Sequence, residues 1–121
     1  MKYLCLVYGE EKDLDALPEN AWDVLVRDSL SYDEALRRSG HYIVSDALQP
    51  VSTAASLRVR NGRLSVTDGP FAETKEQLLG FILIEARDRN DAIEAAAKIP
   101  MAGLGTIEVR PVRELEEPRN D

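Results

Sequence analysis

Hydrophobic and polar positions along the chain alternate between two periods. Tyr3–Tyr8 is a short apolar run rich in strand formers and closed by Gly9, which predicts a first strand. The polar stretch "EEKDLDALPEN" reads as a loop leading into a helix. From Ala21 the spacing changes. Trp22, Leu25, Ser29, Tyr32 and Leu36 recur every three or four residues and share one helical face. Asn20, with Asp23 three residues on, is expected to cap the start of that helix. Arg37 and Arg38 suit its negative end and Gly40 its C′ position. His41–Leu48 predicts a second strand, ended by Pro50.

The stretch "ASLRVRNGRLSVT" carries the clearest local signal. Asn61-Gly62 is the preferred two-residue type I′ loop, because both residues tolerate positive φ. That loop sets Arg60 opposite Arg63, Val59 opposite Leu64, Arg58 opposite Ser65 and Leu57 opposite Val66. One face of the hairpin is then Leu57, Val59, Leu64 and Val66, and the other is basic with Arg58, Arg60 and Arg63. The basic face reads first as a solvated surface, and second as a contact to an acidic partner subunit.

Leu78–Ala86 is almost wholly apolar, as befits a central strand. Asp88 or Asn90 is expected to cap an Ala-rich second helix over Asp91–Lys98, and "MAGLG" reads as a loop. Thr106–Val112 alternates again, with Ile107 and Val109 on one face and Glu108 and Arg110 on the other. The order is β-α-β, a hairpin, then β-α-β. Without the hairpin this is the split βαβ of an α+β, ferredoxin-like sandwich. Two helices cover one face of such a sheet, so the other face must meet water, a ligand or another chain. The apolar strands favour a homodimer.

Composition sharpens this picture. The 121 residues fit one domain, expected over residues 1–113 with a charged tail at 114–121. Net charge is −7, which repels phosphate backbones and argues against nucleic acid as a partner. The single cysteine, Cys5, cannot form an internal disulfide, and with one histidine it cannot build a Cys/His metal cluster. No cofactor or metal is implied. No apolar run reaches membrane-span length, and the N-terminal apolar stretch is too short for a signal peptide, so a cytoplasmic location away from membranes is expected.

The candidate chemistry gathers in "VTDGPFAETKE", Val66–Glu76. Pro70 lacks the N–H that an immediate return strand needs, so Asp68-Gly69 is not a two-residue hairpin turn. The connection to the next strand must be long, about ten residues over Asp68–Gln77. Phe71 is expected to drop into an apolar slot and anchor it. Asp68, Glu73 and Glu76 are the candidate acid–base groups, and Glu73 and Glu76 face one way if they share a helical turn. Tyr8, Phe71, Lys75, Glu108 and Arg110 are the candidate ligand-binding residues, with Arg110 suited to gripping an anion. Two readings stay open: a pocket wall for a small polar or anionic molecule, or a structural loop that clamps an interface. His41, placed just after a helix end, is read as assisting the cap, and Cys5 as inert core.

"VTDGPFAETKEQLLGF", followed by "DAIEAAAKIP" and the closing "GTIEVRPV", resembles the DGPF-motif branch of the YCII-related proteins along essentially the whole chain. The resemblance implies a ferredoxin-like fold, a dimeric α/β-barrel type of assembly and a cytoplasmic bacterial protein. Some members of that branch are encoded beside, or fused to, extracytoplasmic-function sigma factors. A regulatory or interaction module is therefore the alternative to a ligand-binding protein or enzyme. Enzymatic relatives are proposed to use a His–Asp dyad, with the His on the first helix and the Asp before the proline that follows the second. This chain departs at both places. Ala21–Ser39 contains no His, and Lys98 and Ile99 precede Pro100.

Overall fold

The computed structural model describes residues 1–118. The last three residues of the expected tail, 119–121, lie outside the described residues. Six strands and three helices follow one another as β1 (Lys2–Gly9), α1 (Glu11–Asp15), α2 (Glu19–Arg38), β2 (Tyr42–Ala47), β3 (Ala55–Arg60), β4 (Arg63–Asp68), β5 (Gln77–Glu85), α3 (Arg89–Ala97) and β6 (Thr106–Pro111). Short 3₁₀ turns occupy Val51–Thr53 and Pro100–Gly103.

The main sheet is antiparallel in the order β2-β5-β1-β6. β5 lies between β1 and β2, and β1 lies between β5 and β6. Each helical crossover therefore skips one strand. The result is an α+β architecture compatible with the ferredoxin-like arrangement, with β3 and β4 added as a separate two-stranded ribbon. The ribbon has the register its turn dictates, from Ala55 opposite Asp68 to Arg60 opposite Arg63. Asn61 and Gly62 both hold positive φ, 52° and 74°.

Alternation decides which side of the sheet is buried. Tyr3, Cys5 and Val7 from β1, and Ile82 and Ile84 from β5, point at the helices and pack with Leu36, Ala92, Ala95 and Ala96. Small side chains on α3 let that helix lie close to the sheet, and the Tyr32 hydroxyl donates to the Ala95 carbonyl at 2.6 Å, tying α2 to α3. Burial pushes the Cys5 thiol up to about 11, so it stays protonated and unreactive. No helix among the described residues is long and apolar enough to cross a membrane.

Three local expectations need correction. The polar stretch after β1 holds the short helix α1, whose Leu14 packs against the core. Asn20 does not cap α2: the helix begins one residue earlier, at Glu19, with Pro18 at the N-cap and no side-chain cap. Trp22 stays about half-exposed, because the buried face of α2 runs through Leu25, Tyr32 and Leu36. Asp88, by contrast, is the N-cap of α3 and accepts from the Asp91 amide at 2.9 Å.

Candidate functional site

The face of the sheet away from the helices carries the other half of each strand. Cross-strand partners share a face, so Leu4 lies with Leu83 and Arg110, and Leu6 with Phe81 and Glu108. Tyr8 lies opposite Thr106 on the same face. On β2, Val44 and Asp46 join them opposite Leu83 and Phe81. Among the described residues, α2 and α3 pack on the opposite face. The side away from the helices is an apolar floor with a carboxylate and a guanidinium along its β6 border. Glu108 and Arg110 share the face as their spacing requires, yet neither forms an ion pair among the described residues.

At one end of this floor stands the loop between β4 and β5. Its entrance is fixed by the Gly69 amide, which donates to the Ala54 carbonyl at 2.7 Å, and by Ser56 Oγ, which donates to the Gly69 carbonyl at 2.9 Å. Its exit is fixed by Gln77. The Gln77 side-chain amide donates to the Thr74 carbonyl at 2.7 Å, and its carbonyl accepts from the Glu11 amide at 2.9 Å. Glu76 accepts from the Thr106 hydroxyl at 2.8 Å, and Lys75 Nζ lies 3.8 Å from a Glu10 carboxylate oxygen.

The candidates therefore divide. Tyr8, Glu76 and Thr106 meet at the end of the β1–β6 pair, with Lys75 and Glu10 beside them and Glu108 and Arg110 farther along the same face. Asp68 ends the ribbon, exposed and opposite Ala55, and Glu73 is exposed within the loop. Phe71 does not drop into an apolar slot: it is 86% exposed. Nor do Glu73 and Glu76 share a helical turn, since residues 70–76 contain no helix. Hydrogen bonds at the two ends of the loop hold it, so no hydrophobic anchor is needed. Among the described residues, no cluster of three or more His, Cys, Asp or Glu side chains could hold a metal ion.

Two depressions of the chain lie elsewhere. One, of about 570 Å³, runs between α3 and the outer edge of β6, lined by Ile93, Ala97, Ile107 and Val109, with Arg89 also in its lining. The other, of about 430 Å³, surrounds His41 and Asp91. Here the structure joins residues far apart in the sequence. Gly40, at φ +81°, turns the chain after α2 so that His41 Nδ1 lies 2.7 Å from Ser39 Oγ. His41 therefore does meet the helix end, as expected. Its Nε2 also lies 3.1 Å from both carboxylate oxygens of Asp91, fifty residues on. This pair occupies neither of the positions of the dyad proposed for enzymatic relatives.

Asp91 is the one buried charged residue among those described, 8% exposed. The Arg87 amide donates to it at 3.0 Å, and that bond, with those from His41 and the Arg87 guanidinium, holds the carboxyl well below the usual carboxylate range. A depressed folded value means stability that is fully present above the unfolded value of about 3.9 and is lost as pH falls toward the folded one. The melting temperature of the protein should therefore fall on acidification below about pH 4. Asp91→Asn should melt lower at neutral pH and show a shallower acid slope over that window. Parallel melting-versus-pH curves for the two proteins would refute this contribution.

A family model for the YCII-related domain matches residues 1–116. The chain is also 36% identical over 114 residues to an uncharacterized protein of Rhizobium meliloti (strain 1021), covering 93% of this chain and 92% of that one.

Proposed function

The chain belongs to the family of the YCII-related domain, and from that premise we propose that it binds a small polar or anionic organic molecule. The site is the open face of the sheet, walled by a second copy of the chain in a dimeric α/β-barrel type of assembly. The observation that carries this reading is the uncovered floor of Leu4, Leu6, Phe81 and Leu83, bordered by Arg110 and Glu108 and ending at Tyr8, Thr106 and Glu76. A small ligand site needs that combination: apolar area for affinity and a few fixed polar groups for orientation. Arg110 grips the anion. Lys75 and Glu10 set the charge at the far end, and Asp68, Glu73 and Phe71 belong to the wall that the second copy completes. Where catalysis follows binding, Glu76 is the acid–base group, held in place by Thr106.

A melting-temperature screen with formate, acetate, succinate and benzoate tests the binding. At least one acid should raise the melting point of the wild type, and Arg110→Ala should abolish that rise. A ligand at a hundred times its dissociation constant adds about 2.7 kcal/mol, a shift of roughly 10 °C for a domain of this size. No shift with any of these acids, or equal shifts in Arg110→Ala, would sink the reading.

The ribbon supports a second reading, a regulatory or interaction module acting on a protein such as an extracytoplasmic-function sigma factor. Leu57, Val59, Leu64 and Val66 form an apolar face that stays exposed among the described residues. Capture of a sigma factor by the tagged full chain from its native cell would favour this reading. Recovery of further copies of the chain alone would favour the first.

A further inference from the structure

We propose that Ser39, His41 and Asp91 form a nucleophile–base–carboxylate relay that hydrolyses small activated carboxylic esters in the depression beside α3. The site shares no residue with the open sheet face, and this inference does not depend on the function proposed for that face. Three observations carry it. The hydroxyl and the imidazole are in hydrogen-bond reach at 2.7 Å. The imidazole is oriented on its other side by a buried carboxylate at 3.1 Å to each oxygen. All three residues line the same depression of about 430 Å³. A nucleophile within reach of a base that is itself oriented by a third group is the general signature of covalent catalysis.

The Ser39 hydroxyl also lies 3.1 Å from the Leu36 carbonyl, to which it donates, so the chemistry requires its one proton to turn from there to His41 Nδ1. An ionised carboxylate only accepts hydrogen bonds, so Nε2 of His41 must carry the proton that points to Asp91. In the neutral ring Nδ1 is then the bare nitrogen, and it faces Ser39 Oγ. The ring is turned over relative to the usual serine-hydrolase arrangement, but the roles of its two nitrogens are preserved. The Asp91 carboxylate has support of its own from the Arg87 amide and guanidinium.

Ser39 Oγ adds to the ester carbonyl carbon and its proton passes to His41 Nδ1. The tetrahedral adduct collapses as the alkoxide leaves, taking that proton. Water then adds to the acyl–Ser39 ester and gives a proton to His41. The carboxylic acid departs as Ser39 Oγ recovers its proton. The net reaction is ester plus water to acid plus alcohol, with no redox change.

The surroundings limit the substrate. The amides of Ser39, Gly40 and His41 already donate to the Ala35, Arg37 and Leu36 carbonyls. Of the cations lining the depression, Arg87 is largely exposed and gives Asp91 a single side-chain bond, so its guanidinium is the donor assigned to the developing oxyanion. One flexible donor stabilises less than a rigid pair of amides. Esters with good leaving groups and short acyl chains are accordingly the class that fits.

The test uses the full chain with p-nitrophenyl acetate and, separately, a fluorophosphonate probe, followed by peptide mass mapping. The expected result is acetyl and phosphonyl adducts on Ser39 of the folded wild type. Ser39→Ala should lose both adducts and the nitrophenolate release above background. His41→Gln should slow release by at least about a hundred-fold. Circular dichroism melts show whether each variant is folded, and the wild-type adduct map does not depend on any variant. The absence of a Ser39 adduct in the wild type, or undiminished release in folded Ser39→Ala, would overturn the proposal and leave the array as a clamp between α2 and α3.

Discussion

Gly105→Ala should destabilise the protein by at least about 3 kcal/mol, or prevent its folding. A Cβ at this position would lie 2.0 Å from the Tyr8 carbonyl oxygen and 3.0 Å from its carbon. The obstacle is backbone in β1, so no side-chain rotation can relieve it. The two strands would have to separate where Tyr8 meets Thr106, and Thr106 is the residue that holds Glu76. Stability and the end of the candidate site should therefore fail together. The melting temperature should drop by about 10–15 °C at matched protein concentration. Gly103→Ala is the control, because nothing lies within 4 Å of its Cβ position. Its melting point should stay close to that of the wild type. A Gly105→Ala protein that melts with the wild type would mean that β1 and β6 do not meet as described.

Those features that depend on neighbours in sequence were legible without coordinates. Asn61-Gly62 fixed every pair of the ribbon, since a two-residue type I′ loop admits one register. Alternation in Thr106–Val112 separates Ile107 and Val109 from Glu108 and Arg110, and the structure turns the first pair toward the core and the second to the open face. The failures arose where tertiary context competes with a local rule. Asn20 is a good capping residue, but the chain enters α2 through Pro18, one residue before Glu19, so Asn20 falls inside the helix. The hydrophobicity of Phe71 suggests an apolar slot, whereas backbone and side-chain hydrogen bonds at Gly69 and Gln77 hold that loop. The meeting of His41 with Asp91 spans fifty residues and has no periodic signal. Its one hint was a histidine directly after a glycine that turns the chain.

Replacing Leu57 and Leu64 together by Asp should split the proposed dimer while leaving each chain folded. Both side chains are 64% exposed in the single chain, so the change removes little from its own core. They lie on the same face of the ribbon, because Leu57 pairs with Val66 and Leu64 with Val59. Burying a leucine fully is worth about 1.5–3 kcal/mol, and about two-thirds of each surface is still available here. A two-fold dimer uses each residue twice. The loss, even discounted for imperfect burial, corresponds to at least about a hundred-fold weaker association.

The central claim is that the uncovered sheet face and the ribbon are completed by a second copy of this chain, which makes the ligand cleft. Sedimentation velocity of the wild type and of Leu57→Asp/Leu64→Asp, at tens of micromolar, tests it most directly. The expected result is a wild type at twice the 13.5 kDa chain mass and a folded variant at one chain mass. A monomeric wild type, or a variant that stays dimeric, would contradict it.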